Sequence, residues 1–165
     1  MIRNFTRQLF VAAPIIALLS ACGGGAGGDG ESSGAGDAPP EIAERQGNFE
    51  AIGDAFKAIR TQLDADSPDL AAIATSAGDI NERAGKITGL FPEATGVDDG
   101  YDTEALATIW ELPAEFEKAA SDLVAASAAL KAAAESGDTG ATGEAAGAMG
   151  GTCKACHDKF RVKKD

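Results

Sequence analysis

Apolar residues recur at alternating steps of three and four in four separate stretches of this 165-residue chain. This spacing places the apolar side chains on one face of a helix, so each stretch predicts an amphipathic α-helix with a face to bury. No stretch reads as a β-strand. The pattern therefore predicts an all-α fold, and four such helices are expected to form an antiparallel four-helix bundle.

Proline marks the start of three of the predicted helices. The first follows Pro39-Pro40, the second begins at Ser67-Pro68, and the third begins near Pro113, because proline fits the first helical turn. The fourth is predicted from about Gly143 to Val162. The positions expected to face the core are Ile42, Arg45, Phe49, Ile52, Phe56, Ile59 and Leu63 in the first helix; Leu70, Ile73, Ala77, Ile80, Ala84, Ile87 and Phe91 in the second; Phe116, Ala120, Leu123, Ser127, Leu130 and Ala134 in the third; and Ala146, Met149, Cys153, Cys156 and Phe160 in the fourth.

Two cysteines and a histidine stand near the C-terminus in the sequence Cys153-Lys154-Ala155-Cys156-His157. This pattern is typical of the covalent attachment of a c-type haem. Residues three apart share a helix face, so both sulfurs can reach one porphyrin edge, and the next residue presents an imidazole to the iron. His157 is the only histidine of the chain, so it is the expected axial ligand, and no second histidine is available for the other side.

A Cys-x-x-Cys pair has two other interpretations. A thioredoxin-like redox motif belongs to a βαβ unit, which this sequence does not predict. A zinc site needs four ligands, and the only further cysteine, Cys22, lies in a targeting segment. The pattern therefore favours one covalently attached haem c near the C-terminal helix.

Residues 1–21 have the features of a lipoprotein signal peptide. Two arginines precede Leu9–Leu19, an apolar stretch that is too short to span a bilayer. The small residues before Cys22 resemble a bacterial lipobox, which implies cleavage before Cys22 and lipidation of this residue. The alternative is an ordinary secretory signal cut near Ala21, with Cys22 left as a free thiol.

Residues 22–38 are rich in glycine and serine and predict a flexible tether. Behind a lipidated cysteine, such a tether would hold a soluble domain, residues 39–165, away from a membrane. Either kind of signal predicts the periplasm, where bacteria attach c-type haem. Gly23 stands where an aspartate often signals retention in the inner membrane, which favours the outer membrane.

The chain carries 26 acidic and 14 basic residues, and its formal net charge is −12. This charge argues against nucleic acid and against direct contact of the domain with anionic lipids, so the membrane is expected to be contacted only through the lipid anchor. It is compatible with a basic redox partner protein or a small neutral ligand. Solubility alone accounts for most of these charges.

Three separated stretches resemble the class II c-type cytochromes, the family best known through cytochrome c′. They are residues 44–57 in the first helix, 109–116 at the entry to the third, and 153–161 at the haem-binding end. A haem motif at the C-terminal end is distinctive, because the commoner small cytochromes c carry it near the N-terminus. The resemblance covers the domain from about Glu41 onward and implies a homodimer formed through the first two helices.

The resemblance also implies roles for individual residues. Cys153 and Cys156 form the thioethers, and His157 is the proximal axial ligand. Arg161, one turn further on, matches an arginine that lies beside the proximal histidine. The positions implied for the haem pocket are Arg45, Gln46, Phe49 and Arg161.

Arg45 interrupts the apolar face of the first helix. A charged side chain at such a position is costly unless it is paired, and a haem propionate is one anion that could pair with it. The alternative is that the side chain extends along the helix to solvent. Spacing alone leaves both open, and the resemblance, which places Arg45 and Gln46 near the haem edge, favours the propionate.

Phe49 matches the position that faces the iron from the distal side. Low-spin members of the family have a methionine ligand there, whereas five-coordinate members have an apolar residue, and phenylalanine has no donor atom. Met149 precedes His157 by two turns of the same helix and is expected to fill an apolar gap. A lysine ligand remains an alternative, although no lysine falls on the apolar face of the first helix.

The expected function is reversible binding of nitric oxide, with weaker binding of carbon monoxide, at a five-coordinate haem capable of one-electron redox. The alternative is a periplasmic electron-transfer cytochrome, which Phe49 disfavours. An enzyme such as a peroxidase is not expected, because no histidine is left to act as a distal acid or base. A lipoprotein that uses haem only as part of its core is a third alternative.

Overall fold

The computed structural model describes residues 38–163. The predicted signal segment 1–21, Cys22 and nearly all of the predicted tether lie outside these residues. None of the helices between residues 38 and 163 combines the length and hydrophobicity that a membrane span requires.

This part of the chain contains no β-strand. Its α-helices are α1 (Pro40–Leu63), α2 (Leu70–Ala84), α3 (Thr108–Glu111), α4 (Pro113–Glu135) and α5 (Thr139–Phe160), and 3-10 turns lie at Ile87–Leu90 and Val97–Asp99.

The four long helices form the predicted antiparallel bundle. α1 packs on α2, α2 packs on α4, and α4 packs on α5. α1 and α5 contact each other much less than these pairs do. The bundle is therefore closely packed on three sides and separated on the fourth, between α1 and α5.

α1 begins as predicted, with Pro40 in its first turn. Asn48 is buried on this helix, which the apolar pattern did not predict. Its Nδ2 donates a hydrogen bond to the carbonyl oxygen of Arg83 on α2 at 3.2 Å, and this bond offsets the cost of burying an amide. The apolar side chains buried on the predicted face of α1 are Ile42, Ile52 and Ile59.

The predicted start of the second helix at Ser67-Pro68 is wrong. α2 begins two residues later, because the Asp69 carboxylate caps it and accepts a hydrogen bond from the backbone nitrogen of Ala72 at 3.0 Å. Aspartate and serine are equally good caps, so the sequence offers two adjacent starts. α2 also ends before the predicted Phe91, with Gly85 as its C-cap, and the chain tightens into a 3-10 turn.

The predictions for α4 are confirmed along its length. The helix begins at Pro113, and every position predicted to face the core is buried. Ser127 is the only polar residue among them; its Oγ donates to the carbonyl oxygen of Leu123 at 2.8 Å and accepts from Nδ2 of Asn81 at 3.1 Å. The buried residues are Phe116, Ala120, Leu123, Ser127, Leu130 and Ala134.

The predicted start of the fourth helix near Gly143 is wrong, as is its predicted end at Val162. α5 begins at Thr139 because the Asp138 carboxylate accepts a hydrogen bond from the backbone nitrogen of Ala141 at 2.9 Å. Gly137, with a φ of 82°, makes the turn from α4. Of the residues predicted to face inward on α5, Ala146, Met149 and Phe160 are buried, and Cys153 and Cys156 are half-buried.

The connection between α2 and α4 is held against the bundle by several contacts. Trp110 on α3 donates a hydrogen bond from Nε1 to the carbonyl oxygen of Phe91 at 3.2 Å. Gly96 lies so close to the Trp110 ring that a Cβ atom there would be 2.9 Å from Cζ3. Ala105 pairs with Arg161, just beyond α5, as an isolated antiparallel bridge. These contacts fix the connection beside the open side of the bundle.

Candidate functional site

A cavity of about 550 Å³ lies on the side of the bundle where α1 and α5 separate. Its walls come from α1, α4, α5 and the connection between α2 and α4. Most of the lining side chains are apolar, so the cavity suits a largely apolar occupant. The larger apolar residues in the lining are Phe49, Ile52, Phe56, Ile87, Phe91, Ile109, Phe116, Leu123 and Phe160.

The two cysteines and the histidine of the C-terminal motif all line this cavity. Cys153 and Cys156 are free thiols, half-buried on the inward face of α5. Burial raises the pKa of Cys153, and it raises the pKa of Cys156 to about 11, with the neighbouring Cys153 adding to the effect. α5 therefore brings two neutral sulfurs and an imidazole to one wall.

The His157 imidazole lies among charged groups at the cavity edge. Desolvation lowers its pKa, and the positive charge of Arg161 lowers it further, whereas the carboxylates of Glu104 and Asp158 act in the opposite direction. The lowered pKa favours the neutral imidazole, which is the form that binds a metal. Both Arg161 and Glu104 line the cavity together with His157.

Phe49 lies on the α1 wall, half-buried, and belongs to a chain of aromatic rings. Its ring meets Phe91 edge-on at a centroid distance of 6.2 Å. Phe91 in turn meets Phe116 of α4 at 4.9 Å, and Phe116 meets Phe160 of α5 at 5.3 Å, also edge-on. Such edge-to-face pairs are favourable beyond the area that they bury, so Phe49 is supported by the rest of the core.

Arg45 is 2 % exposed, so the alternative in which it reaches solvent is wrong. Its Nη1 donates to Oγ1 of Thr95 at 2.8 Å, and its Nη2 donates to the Thr95 carbonyl oxygen and to Oγ1 of Thr103 at 2.9 Å. The guanidinium also lies 4.8 Å from the centre of the Phe91 ring, within the range of a cation–π contact. Burial lowers the pKa of Arg45, but a guanidinium remains charged in proteins.

Gln46 and Arg161 stand at the more exposed edge of the same cavity. Nε2 of Gln46 donates to the carbonyl oxygen of Asp102 at 2.9 Å. Arg161 forms an ion pair through Nε with the carboxylate of Glu104. Together with Arg45, these residues give the apolar cavity a polar edge that carries charges of both signs.

The lining fits a haem. Its apolar walls suit a porphyrin, its two sulfurs lie three residues apart beside an imidazole, and its edge is polar. No cluster of three or more His, Cys, Asp or Glu residues placed to hold a metal ion is found between residues 38 and 163. The described residues therefore offer no ligand set for the zinc alternative.

The structure brings all the predicted pocket residues of the described region to one cavity, and it adds others that the sequence did not single out. Phe91 and Phe116 were predicted only as core residues. Thr95 and Thr103, the partners of Arg45, gave no signal, because they lie in an irregular connection 50 and 58 residues from it. Glu104, the partner of Arg161, lies in the same connection.

Comparison with known proteins gives a consistent result. The family model for cytochrome C′ matches residues 40–161. The cytochrome c′ of Pararhodospirillum photometricum is 37% identical over 127 residues, which cover 75% of this chain and 99% of that protein. The solved structure of cytochrome c′ from Rhodopseudomonas palustris superposes with a TM-score of 0.68 at 33% identity, over 77% of this chain and 99% of that one.

A second solved structure is the nitric oxide complex of a point mutant of cytochrome c′ from Alcaligenes xylosoxidans. It superposes with a TM-score of 0.67 at 25% identity, over 78% of this chain and 98% of that one. Proteins of this family carry one covalently bound haem c. The match over almost the whole described region, at the level of both sequence and fold, shows that this chain belongs to the cytochrome c′ family.

Proposed function

We propose that this chain is a monohaem c-type cytochrome that reversibly binds nitric oxide, and carbon monoxide more weakly, at a five-coordinate haem. Cys153 and Cys156 hold the group through thioethers, and His157 is its single axial ligand from the protein. When bound, the haem supplies an iron that accepts one electron and takes up a small diatomic ligand. The residues of the cavity determine which ligands reach it.

One observation carries the proposal: the α1 wall presents Phe49, which has no donor atom, to the cavity. Among the described residues that line the cavity, neither a methionine nor a lysine occurs, and His157 is the only histidine. Met149 is fully buried in the core instead. The common side-chain ligands of haem iron are therefore missing from the wall opposite His157.

The apolar character of this wall favours nitric oxide over dioxygen. Bound dioxygen is stabilised by a hydrogen-bond donor, but the donors nearest to Phe49 already have partners. The Arg45 guanidinium is bonded to two threonines, and the Gln46 amide is bonded to the Asp102 carbonyl oxygen. The nitric oxide complex known for the relative from Alcaligenes xylosoxidans supports the same ligand for this chain.

The absorption spectrum of the holoprotein, ferric and dithionite-reduced, with and without nitric oxide, tests the proposal. A high-spin ferrous spectrum without a sharp α-band, changing when nitric oxide is added, is the expected result. A sharp low-spin α-band with no response to the gas would reveal a sixth ligand, and the electron-transfer alternative would replace this proposal.

Phe49→Met provides the sharper test, because it places a thioether sulfur where the benzyl ring stands. We expect conversion of the reduced holoprotein toward the low-spin form, with nitric oxide binding slowed. Phe56→Met is the matched control, since Phe56 also lines the cavity from α1, two turns further along. If both variants keep the high-spin spectrum, Phe49 does not face the iron.

The cellular setting is also part of the proposal. We infer a periplasmic, non-enzymatic protein that is anchored by lipid on Cys22 to a membrane, with the outer membrane favoured, and held by a tether up to residue 38. A homodimer through α1 and α2 and a basic redox partner remain predictions. Cys22→Ser is expected to abolish incorporation of labelled fatty acid without changing the haem spectrum, and equal labelling of the variant and the unmodified protein would contradict lipidation at Cys22.

A further inference from the structure

A short segment of the α2–α4 connection, residues 102–106, bridges the open side of the bundle. At one end it is bonded to α1, where Gln46 donates to the Asp102 carbonyl oxygen and Arg45 donates to Oγ1 of Thr103. At the other end it is bonded to the chain at the end of α5. The segment therefore joins α1 and α5, the two walls of the cavity that contact each other only slightly.

The bonds at the α5 end fix residues 104 and 161 relative to each other. The backbone nitrogen of Val162 donates to the Glu104 carbonyl oxygen at 2.9 Å, and that of Leu106 donates to the Phe160 carbonyl oxygen at 3.1 Å. Between these two bonds, Nε of Arg161 forms an ion pair with the Glu104 carboxylate. Two backbone bonds and a charged pair thus converge on the turn that follows His157.

We propose that Glu104 is a positioning residue that holds Arg161 beside His157 and offsets its positive charge. This inference rests on the proposed role of His157 as the axial ligand. The backbone nitrogen of Arg161 donates to the His157 carbonyl oxygen at 3.2 Å, and Arg161 and Glu104 both line the cavity with His157. The pair therefore contributes two opposite charges to the His157 side of the cavity, whereas Phe49 shapes the opposite side.

A second ion pair at the same end of α5 provides a matched control. Lys159 pairs with Glu115 of α4, and their side chains are 40% and 57% exposed. Neither residue lines the cavity, in contrast to Glu104 and Arg161. Glu115→Gln therefore removes one carboxylate and one ion pair from the end of α5 without changing the charges beside His157.

The test is a potentiometric titration of the holoprotein with Glu104→Gln, Arg161→Gln, the double variant and Glu115→Gln. Loss of the Glu104 charge disfavours the more positive ferric state. We expect the ratio of reduced to oxidised protein at a fixed potential to rise roughly three- to tenfold in Glu104→Gln, where tenfold corresponds to about 59 mV for one electron. Arg161→Gln should shift the ratio in the opposite direction, and Glu115→Gln should leave it unchanged.

The double variant separates positioning from independent charge effects. If Glu104 acts through Arg161, the two single shifts do not add up to the shift of the double variant. Additive shifts, or a Glu104→Gln shift no larger than that of Glu115→Gln, would overturn the proposal. Glu104→Asp, which keeps the charge, should restore the potential, and thermal unfolding of each holoprotein identifies any variant whose fold is lost.

These outcomes are independent of gas binding. A low-spin, gas-insensitive spectrum of the unmodified protein would remove the nitric oxide proposal but leave the coupling between Glu104 and Arg161 measurable. Conversely, normal nitric oxide binding combined with an unshifted potential in Glu104→Gln would remove only the positioning role.

Discussion

α4 and α5 pack side by side and have nearly the same length, 23 and 22 residues, yet their sequences are very different. α4 contains ten alanines and no glycine, and all its inward positions are buried, including Phe116 and Leu123, which also line the cavity. α5 contains five glycines, and beyond Met149 its inward cysteines face the cavity. α4 is stabilised by its own helix propensity and by burial in the protein core. We expect the C-terminal part of α5 to need a haem in the cavity as well.

Removal of the haem is expected to have the largest effect on this difference between α4 and α5. The double variant Cys153→Ser, Cys156→Ser can form no thioether, and its unfilled cavity is expected to lower the melting temperature by at least about 10 °C. Hydrogen exchange should show loss of protection in α5 beyond Met149 while α4 stays protected. Equal melting temperatures and equal protection in the holoprotein and the variant would show that α5 does not depend on its ligand.

A cavity in the α4 core should act in a different way. Leu130 is fully buried, and Leu130→Ala is expected to cost about 2–5 kcal/mol of unfolding free energy in the holoprotein. Leu130→Met nearly preserves the volume and should cost less than about 1.5 kcal/mol. Denaturant unfolding followed by circular dichroism measures both, and similar losses for the two variants would mean that packing at this site is loose.

The glycines of α5 give a smaller effect whose sign depends on position. A Cβ atom added at Gly147 would meet no other atom within 4 Å, so Gly147→Ala should stabilise the helix by about 0.5–1 kcal/mol. Gly137→Ala, in the turn before α5, should instead destabilise the protein by about 1 kcal/mol, because φ is 82° there. Thermal unfolding of the two holoproteins provides the comparison, and a shift of the same sign in both would contradict it.

The smallest effect is expected on the exposed face of α4. Lys118 pairs with Asp122 at 2.7 Å, but both side chains are about half exposed or more. Lys118→Ala should therefore change the unfolding free energy by less than about 0.5 kcal/mol. A larger loss that disappears at high salt would show that ion pairs contribute more to α4 than its alanine-rich sequence suggests.

The sequence predicts α4 better than the other helices because the core-facing side of α4 is buried along its whole length. Its inward positions are buried by the fold itself, even beside the cavity, and this burial leaves a regular apolar pattern, as Phe116, Leu123 and Leu130 show. The starts of α2 and α5 were predicted wrongly. α2 is capped by Asp69 and not by the nearby Ser67, and α5 is capped by Asp138, before the glycine-rich stretch where its start was predicted. Which of two neighbouring residues caps a helix depends on how the helix packs in the complete fold, and the local sequence pattern does not show this.

Some residues of the candidate site could likewise be predicted from the sequence, and others could not. Cys153, Cys156 and His157 were evident because their spacing along one helix carries the chemistry. The partners of Arg45 were not evident, because Thr95 and Thr103 come from an irregular connection that is brought to α1 only by the complete fold. Local motifs are readable from a sequence, whereas polar contacts between distant segments need the three-dimensional arrangement.

The burial of Arg45 has an evolutionary consequence. Its guanidinium is bonded to both threonines and lies over the ring of Phe91. Replacing Arg45 alone leaves the acceptors unsatisfied, and replacing either threonine alone leaves part of a buried cation without a partner. Substitutions at these three positions are therefore tolerated mainly in combination. We expect the three residues to change together among descendants of this sequence, whereas residues on the exposed face of α1 vary independently.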